Sequence, residues 1–285
     1  MLRSLRTIVA LAFCTPIAIP ATRAGAQPRG AYLGQLTWPE AERWLRDASV
    51  VVLPFGAGAK EHGPHLPLAS DQIAMEYFAK VAVDSLAVVV APPILHGWFP
   101  AFAEFPGLTI DDPDVFWHYV LEAARSLVKH GARRIVFLNT GVTRSTGIPI
   151  ALAARTLHAQ EHVPTLVVSF DDLETEATKA LTTQRAGTHA DDLETSIVLA
   201  LRPELVHMDR AVRDYRVSDT AAAYPGYRPT DYSRRSGDPD YSRTGLSGDP
   251  TLATAEKGRR ALAIMTQQWL KALRGFASSP LVDRK

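Results

Sequence analysis

The sequence predicts an α/β protein of three layers, a central and mostly parallel sheet with helices on both faces. Three observations carry that expectation. Val50 to Leu53 and Leu86 to Ala91 are apolar throughout, the pattern of strands covered on both sides. Helix-period segments separate the strands in a βαβα order, which calls for parallel pairing. The connections at 54–71 and 139–147 are polar and glycine-bearing strand-to-helix loops, where α/β proteins place their chemistry.

At the N-terminus, Arg3 and Arg6 precede an apolar run from Ile8 to Ala21, followed by Ala24-Gly25-Ala26. A basic start, a short apolar stretch and small residues read as a signal peptide over residues 1–26, cut after Ala26. Pro16, Pro20 and the brevity of the run speak against a membrane span, the alternative being an uncleaved anchor. Cys14 is the single cysteine and falls inside this segment. A mature chain over 27–285 would then have no thiol. Disulfides, cysteine nucleophiles and thiolate metal sites are excluded, and a periplasmic or secreted location is expected.

Thr37 caps a short helix to Arg46, with Pro39 in its first turn. The Val50 strand, the polar loop and a helix from about Asp71 to Ser85 follow; Ile73, Ala74, Phe78 and Val81 share one helix face. Pro92 and Pro93 stop the next strand. Residues 94–109 set His96, Trp98, Phe99, Phe102, Glu104 and Phe105 among prolines and glycines, a loop expected to wall a pocket. Asp111 to Asp114 opens a helix to about Lys129. A strand over Arg134–Asn139, a helix to about Gln160 and a strand over Thr165–Ser169 come next. Residues 171–187 are weakly patterned, and an apolar helix then ends at Leu201 before Pro203. A Gly/Pro/Tyr/Ser/Arg stretch over 217–250 is expected as a long loop or arm, and a closing helix runs from about Leu252 to Arg274.

Of the 285 residues 46% are apolar and 21% charged, ordinary for a globular protein with a sizeable core. The net charge of +1 gives no electrostatic case for nucleic acid or an anionic membrane as partner.

Chemistry-bearing residues gather in two segments. Glu61, His62, His65 and Asp71 lie in the first loop, beside Lys60. Imidazole and carboxylate are ligands for zinc, manganese and similar ions, and the glycines permit the bends. The alternative is a polar loop whose histidines bond backbone and whose Asp71 caps a helix. His189 and Glu194 form the second group; a glutamate at a helix start also serves the helix dipole alone. The hydroxyls of the Asn139–Ser145 run, together with Arg144, suit a polar substrate or an anion at a helix start, but no G-x-S-x-G elbow marks a nucleophile there.

Leu53-Pro-Phe-Gly56 followed by Glu61-His-Gly-Pro-His-Leu-Pro-Leu-x-x-Asp71 resembles the first signature of the creatininase (creatinine amidohydrolase) family. His189-Ala-x-x-x-Glu-Thr-Ser196 with Leu201-x-Pro-Glu-Leu-Val206 is similar to its later one, and Phe105-Pro-Gly107 and Gly248 to Gly258 to further segments. The resemblance implies one α/β/α domain, a homo-oligomer, and hydrolysis of C–N bonds in small cyclic or linear amides by divalent metal. Two ligand places of the family's metal pair are altered. Lys60 stands where the family has a glutamate, and the 139–144 run holds no histidine. What carries over is His62, Asp71 and Glu194 as ligands of one ion rather than two, zinc first, with manganese or iron as alternatives. Glu61 is then the expected base and His189 the acid that protonates the leaving nitrogen. Lys60, His65, Asn139 and Thr140 are the expected substrate contacts. The expected function is a metal-dependent hydrolase of small-molecule amides that has no membrane partner after signal cleavage. A periplasmic small-molecule-binding protein with a degenerate, non-catalytic site is the alternative.

Overall fold

The computed structural model describes residues 29–143, 145–215, 236–237 and 241–281. The expected signal peptide, Arg144 and most of the 217–250 arm lie outside the described residues.

Among the described residues five strands form one sheet: β1 (Ala31–Tyr32), β2 (Val50–Phe55), β3 (Val88–Val90), β4 (Ile135–Asn139) and β5 (Thr165–Ser169). Their order is β1-β3-β2-β4-β5, and every pair is parallel. β-Strand side chains alternate between faces, so each strand feeds two cores. Val51, Leu53 and Phe55 join Ile135 and Phe137 on one face. There they meet Leu45 of α1 (Trp38–Asp47) and the apolar sides of α3 (Pro113–Lys129) and α4 (Gly147–Glu161). Val50, Val52, Val136 and Leu138 point the other way, to α2 (Ser70–Ser85), α7 (Asp192–Leu201) and α8 (Ala255–Ala277). A strand buried on both sides must be apolar at every position, which is why β2 shows no alternation in sequence.

The expected elements are present with shifted ends. β3 spans three residues rather than the six of the apolar run. α8 begins three residues late, because Pro250–Leu252 forms a separate tight turn and the Thr254 side chain caps the helix by accepting from Lys257 N–H. Residues 170–179 form two four-residue helices, α5 (Phe170–Leu173) and α6 (Glu176–Lys179). β1 had no counterpart in the sequence reading, since two residues carry no period.

Connectivity positions the site. From β2 the chain crosses to β3 on one side, then returns to place β4 on the other side of β2. The loops leaving β2 and β4 therefore part to opposite faces and leave a crevice at the carboxyl ends of these neighbours, where Phe55 pairs with Asn139.

α7 and α8 cross tightly. Lys257 Nζ lies 2.9 and 2.7 Å from the two Asp192 carboxylate oxygens at the start of α7. A Cβ on Gly258 would fall inside the van der Waals radius of the Ser196 carbonyl. Gly258→Ala is accordingly expected to force the helices apart and destabilise the protein by about 2 kcal/mol or more, read as a lowered midpoint in urea unfolding.

Candidate metal centre and active site

β2 delivers the chain to the crevice, and the loop to Ser70 is shaped by two local features. Gly63 adopts φ 71°, and its N–H closes back on Glu61 Oε1. Lys60 N–H bonds the Leu68 carbonyl at 3.0 Å, tying the loop ends together. Asp71 then sits in the first turn of α2, where a carboxylate is favoured by the helix dipole, and it is buried. Glu194 arrives from across the crevice in the first turn of α7. Asp191 caps that helix by accepting from Glu194 N–H at 3.0 Å. Ala190 just ahead is in the left-handed region at φ 49°, and its N–H donates to Glu194 Oε2. An alanine there is strained by the order of 1 kcal/mol, and the strain aims the Glu194 carboxylate.

The three expected ligands meet. His62 Nε2 is 2.9 Å from Asp71 Oδ1 and 3.5 Å from Glu194 Oε1. One donor atom from each of His62, Asp71 and Glu194 lies within 4.8 Å of the others. Tetrahedral ligands at about 2.0–2.1 Å from a zinc ion stand roughly 3.3 Å apart, so the trio is within a few tenths of an ångström of a metal's edge lengths at two of its sides. The histidine tautomer agrees. His62 Nδ1 faces the Lys60 carbonyl at 2.8 Å, an acceptor only, so Nδ1 carries a proton and donates it. Nε2 therefore turns toward two carboxylate oxygens, and acceptors facing one another need a cation between them. Burial and then Lys60 push the His62 pKa down, but Asp71 and Glu194 outweigh them and raise it. A proton and a metal compete for the same point. The donor set fits a divalent ion.

Lys60 occupies the other side of Asp71. Its Nζ is 3.0 Å from Oδ2, both groups are almost wholly buried, and the rings of Phe102 and Phe99 lie 5.0 and 5.9 Å from the ammonium. Burial alone would raise the Asp71 pKa; Lys60 and then His62 hold it well below the usual carboxylate range. Asp71 is ionised with one oxygen committed to an ammonium.

Glu61 and His189 form a second pair. His189 Nε2 lies 3.0 Å from Glu61 Oε2 and 3.1 Å from the Glu61 carbonyl, both acceptors, so Nε2 carries the proton. Nδ1 is left facing Glu194 Oε2 at 3.8 Å. Against the penalty of burial, His189 and then Gly63 N–H lower the Glu61 pKa. The His189 ring is packed between Phe102, 4.4 Å away, and His62, 5.2 Å away. Phe99 and Phe102 thus wall the site, as the 94–109 loop was expected to do; Phe105 stacks instead on Tyr241.

The four expected substrate contacts differ in what they leave free. Lys60 is paired to Asp71. His65 Nε2 bonds Thr195 Oγ1 at 2.8 Å, and burial lowers its pKa to about 4. Thr140 Oγ1 contacts two backbone carbonyls, Asp71 at 2.7 Å and Phe55 at 3.1 Å. Asn139 Oδ1 accepts from Gly141 N–H at 3.1 Å, while Nδ2 has no partner among the described residues. Gly245 went unnoticed in sequence: any side chain there would strike the Glu61 carboxylate. Nothing in the local pattern at 245 points to a residue so distant along the chain.

Comparison with known proteins adds an independent line. The family model for creatininase, creatinine amidohydrolase, matches residues 34–273. The creatinine amidohydrolase of Pseudomonas putida is 27% identical over 264 residues, covering 86% of this chain and 97% of that protein. The mycofactocin precursor peptide peptidase of Mycobacterium tuberculosis is 28% identical over 250 residues, 81% of this chain and 86% of its own. Among solved structures, a tryptophan-to-alanine mutant creatininase superposes with a TM-score of 0.73 at 27% identity, covering 88% of this chain and all of that one. A creatininase described as the Mn form matches at 0.68 and 26% identity, covering 88% of this chain and 100% of that one.

The first turn of α7 concentrates negative charge, and Glu174 lies among it. Burial first, then Asp171 and Asp191, push Glu174 from 4.5 up to about 7. A carboxyl raised on folding takes up a proton, so its contribution is full below about 4.5 and is lost as pH climbs through 7. Glu174→Gln cannot ionise, and is expected to melt roughly 2–8 °C above the parent at pH 8 with no gain at pH 4, by scanning calorimetry.

Proposed function

The chain belongs to the creatininase family, and from that premise we propose that it is a hydrolase of C–N bonds in small amides, working with one divalent ion at His62, Asp71 and Glu194. The observation that carries the reading is the meeting of His62 Nε2 with two carboxylate oxygens, drawn from segments more than a hundred residues apart. A divalent ion at such a place supplies a Lewis acid and lowers the pKa of water to about 7. A single imidazole with two carboxylates suits zinc, and manganese or iron next.

The remaining steps belong to the chain. Lys60 neutralises Asp71 Oδ2, where a second ion would otherwise be drawn, which favours a count of one. The Lys60 carbonyl fixes the His62 tautomer, the usual work of a group behind a metal ligand. Proton transfer falls to the Glu61–His189 pair. With its oxygens engaged by Gly63 and His189, Glu61 orients the imidazole and stabilises its charged form, and His189 Nδ1 takes a proton from the attacking water and passes it to the leaving nitrogen. The sequence expectation gave Glu61 the proton directly; with His189 and Gly63 N–H lowering its pKa against burial, the relayed form is favoured. Phe99 and Phe102 exclude water and strengthen every charge interaction inside. The basic start, apolar run and Ala24-Gly25-Ala26 of the leader support export of the mature chain.

Two measurements test the proposal. Protein purified without chelator is expected to carry one divalent ion per chain by elemental mass spectrometry, and His62→Ala to lose it. A metal-free wild-type protein would instead point to a small-molecule binder. On a panel of small cyclic and linear amides, Glu61→Gln and His189→Ala are each expected to lower kcat by about 10²–10⁴ with metal content and melting temperature preserved. Full turnover in His189→Ala would remove it from the mechanism.

A further inference from the structure

The turn after β4 holds an excess of unspent donors. Asn139 Nδ2, Thr143 Oγ1 and Ser145 Oγ are buried and have no hydrogen-bond partner among the described residues. Asn139 and Ser145 are no more than 1% exposed. Leaving such groups unpaired costs about 1–3 kcal/mol each, so three in one turn require an account. The orientation of the amide is fixed, because Gly141 N–H at 3.1 Å must meet the carbonyl oxygen and not the NH₂ group. The turn also opens α4, a helix of fifteen residues whose start carries positive partial charge. The side chain at its N-cap does not serve it: Thr146 Oγ1 donates instead to the Trp98 carbonyl at 2.8 Å.

Two glycines border the Asn139 amide. A Cβ on Gly147, the first residue of α4, would stand 3.7 Å from Nδ2 and 4.0 Å from Thr143 Cγ2. A Cβ on Gly141 would stand 3.4 Å from Asn139 Oδ1 and 3.7 Å from Asp71 Oδ2. The donors are thus next door to the candidate metal centre, and the half-buried Gly141, Val142 and Thr143 form the open side.

We propose that Asn139 Nδ2, Thr143 Oγ1 and Ser145 Oγ form a subsite for a carboxylate on the non-reacting end of the substrate. The substrate class is then a small amide that also bears a carboxylate, such as an N-acyl amino acid. Donors without a matching acceptor, at a helix start, complement a full negative charge better than a neutral carbonyl. The inference rests on the hydrolase reading only in taking the bound molecule for a substrate.

The test uses the full chain as purified, with two probes that differ only in charge, N-acetylglycine and N-acetylglycinamide, titrated calorimetrically at pH 7. Wild-type protein is expected to bind N-acetylglycine at least ten-fold more tightly. Gly147→Ala fills the space beside Nδ2 with ordinary contacts and adds helix propensity, so it is expected to fold and to lose the preference. Asn139→Asp, which exchanges a donor for an acceptor, and the pair Thr143→Val with Ser145→Ala are expected to lose it too, all with unchanged metal content. Equal affinity for the two probes in wild-type protein, or a preference that survives Gly147→Ala and the double variant, overturns the subsite. The two readings fail separately. Bound metal and amide hydrolysis without a carboxylate preference sinks the subsite alone, whereas a preference lost in Gly147→Ala by a protein without metal supports the subsite and sinks the hydrolase.

Discussion

Asp71 is the residue on which the rest of the site turns, because its two oxygens face two different kinds of cation partner. Oδ1 looks toward His62 and Glu194, where a proton or a metal belongs; Oδ2 is already paired with the Lys60 ammonium. A buried carboxylate with neither would be several kcal/mol too costly to keep ionised. Its backbone is held as firmly as its side chain. Thr140 Oγ1 joins the Asp71 carbonyl to that of Phe55, so the end of β2, the end of β4 and the start of α2 form one unit. The parting of the loops at the β2–β4 boundary makes room for this arrangement, and the all-parallel sheet makes the boundary.

Around that centre, charge is balanced pair by pair. Lys60 answers Asp71, and Lys257 answers Asp192 in the same first turn of α7 as Glu194, while the His189 imidazole meets Glu61. Between His62, Asp71 and Glu194, acceptors outnumber cations. One residue substitution in the motif loop therefore has a chemical consequence: an ammonium at position 60 is a fixed charge and a donor, never a Lewis acid. α7 must be held accurately for this to work. The Asp191 cap, the left-handed turn at Ala190 and the Lys257 clamp to α8 each fix one of its degrees of freedom.

Much of this was legible in the sequence, for reasons that differ by element. β2 was plain because a strand covered on both faces must be apolar throughout, and the ligand trio was expected from the resemblance of two motifs to the creatininase family. Helix ends moved where a side-chain cap or a 3₁₀ turn decided the boundary, as at Thr254. The state of each polar group was not legible. Thr140 has the chemistry of a substrate contact, yet its hydroxyl is spent on backbone carbonyls, while Asn139 Nδ2 and His65 Nδ1 have no partner among the described residues. Residue type states what a side chain can do, and only its neighbours decide whether that capacity remains. The approach of Gly245 to Glu61 is of the same kind, a contact fixed by how a distant segment returns.

The central claim is that one cation sits among His62, Asp71 and Glu194 while Lys60 takes the place of another. X-ray absorption at the metal edge of the zinc-loaded protein tests it most directly. The account predicts a first shell of nitrogen and oxygen at about 2.0–2.1 Å with an imidazole signature and no metal–metal scattering. A second metal at roughly 3.5–4 Å, or a first shell without imidazole, would contradict it.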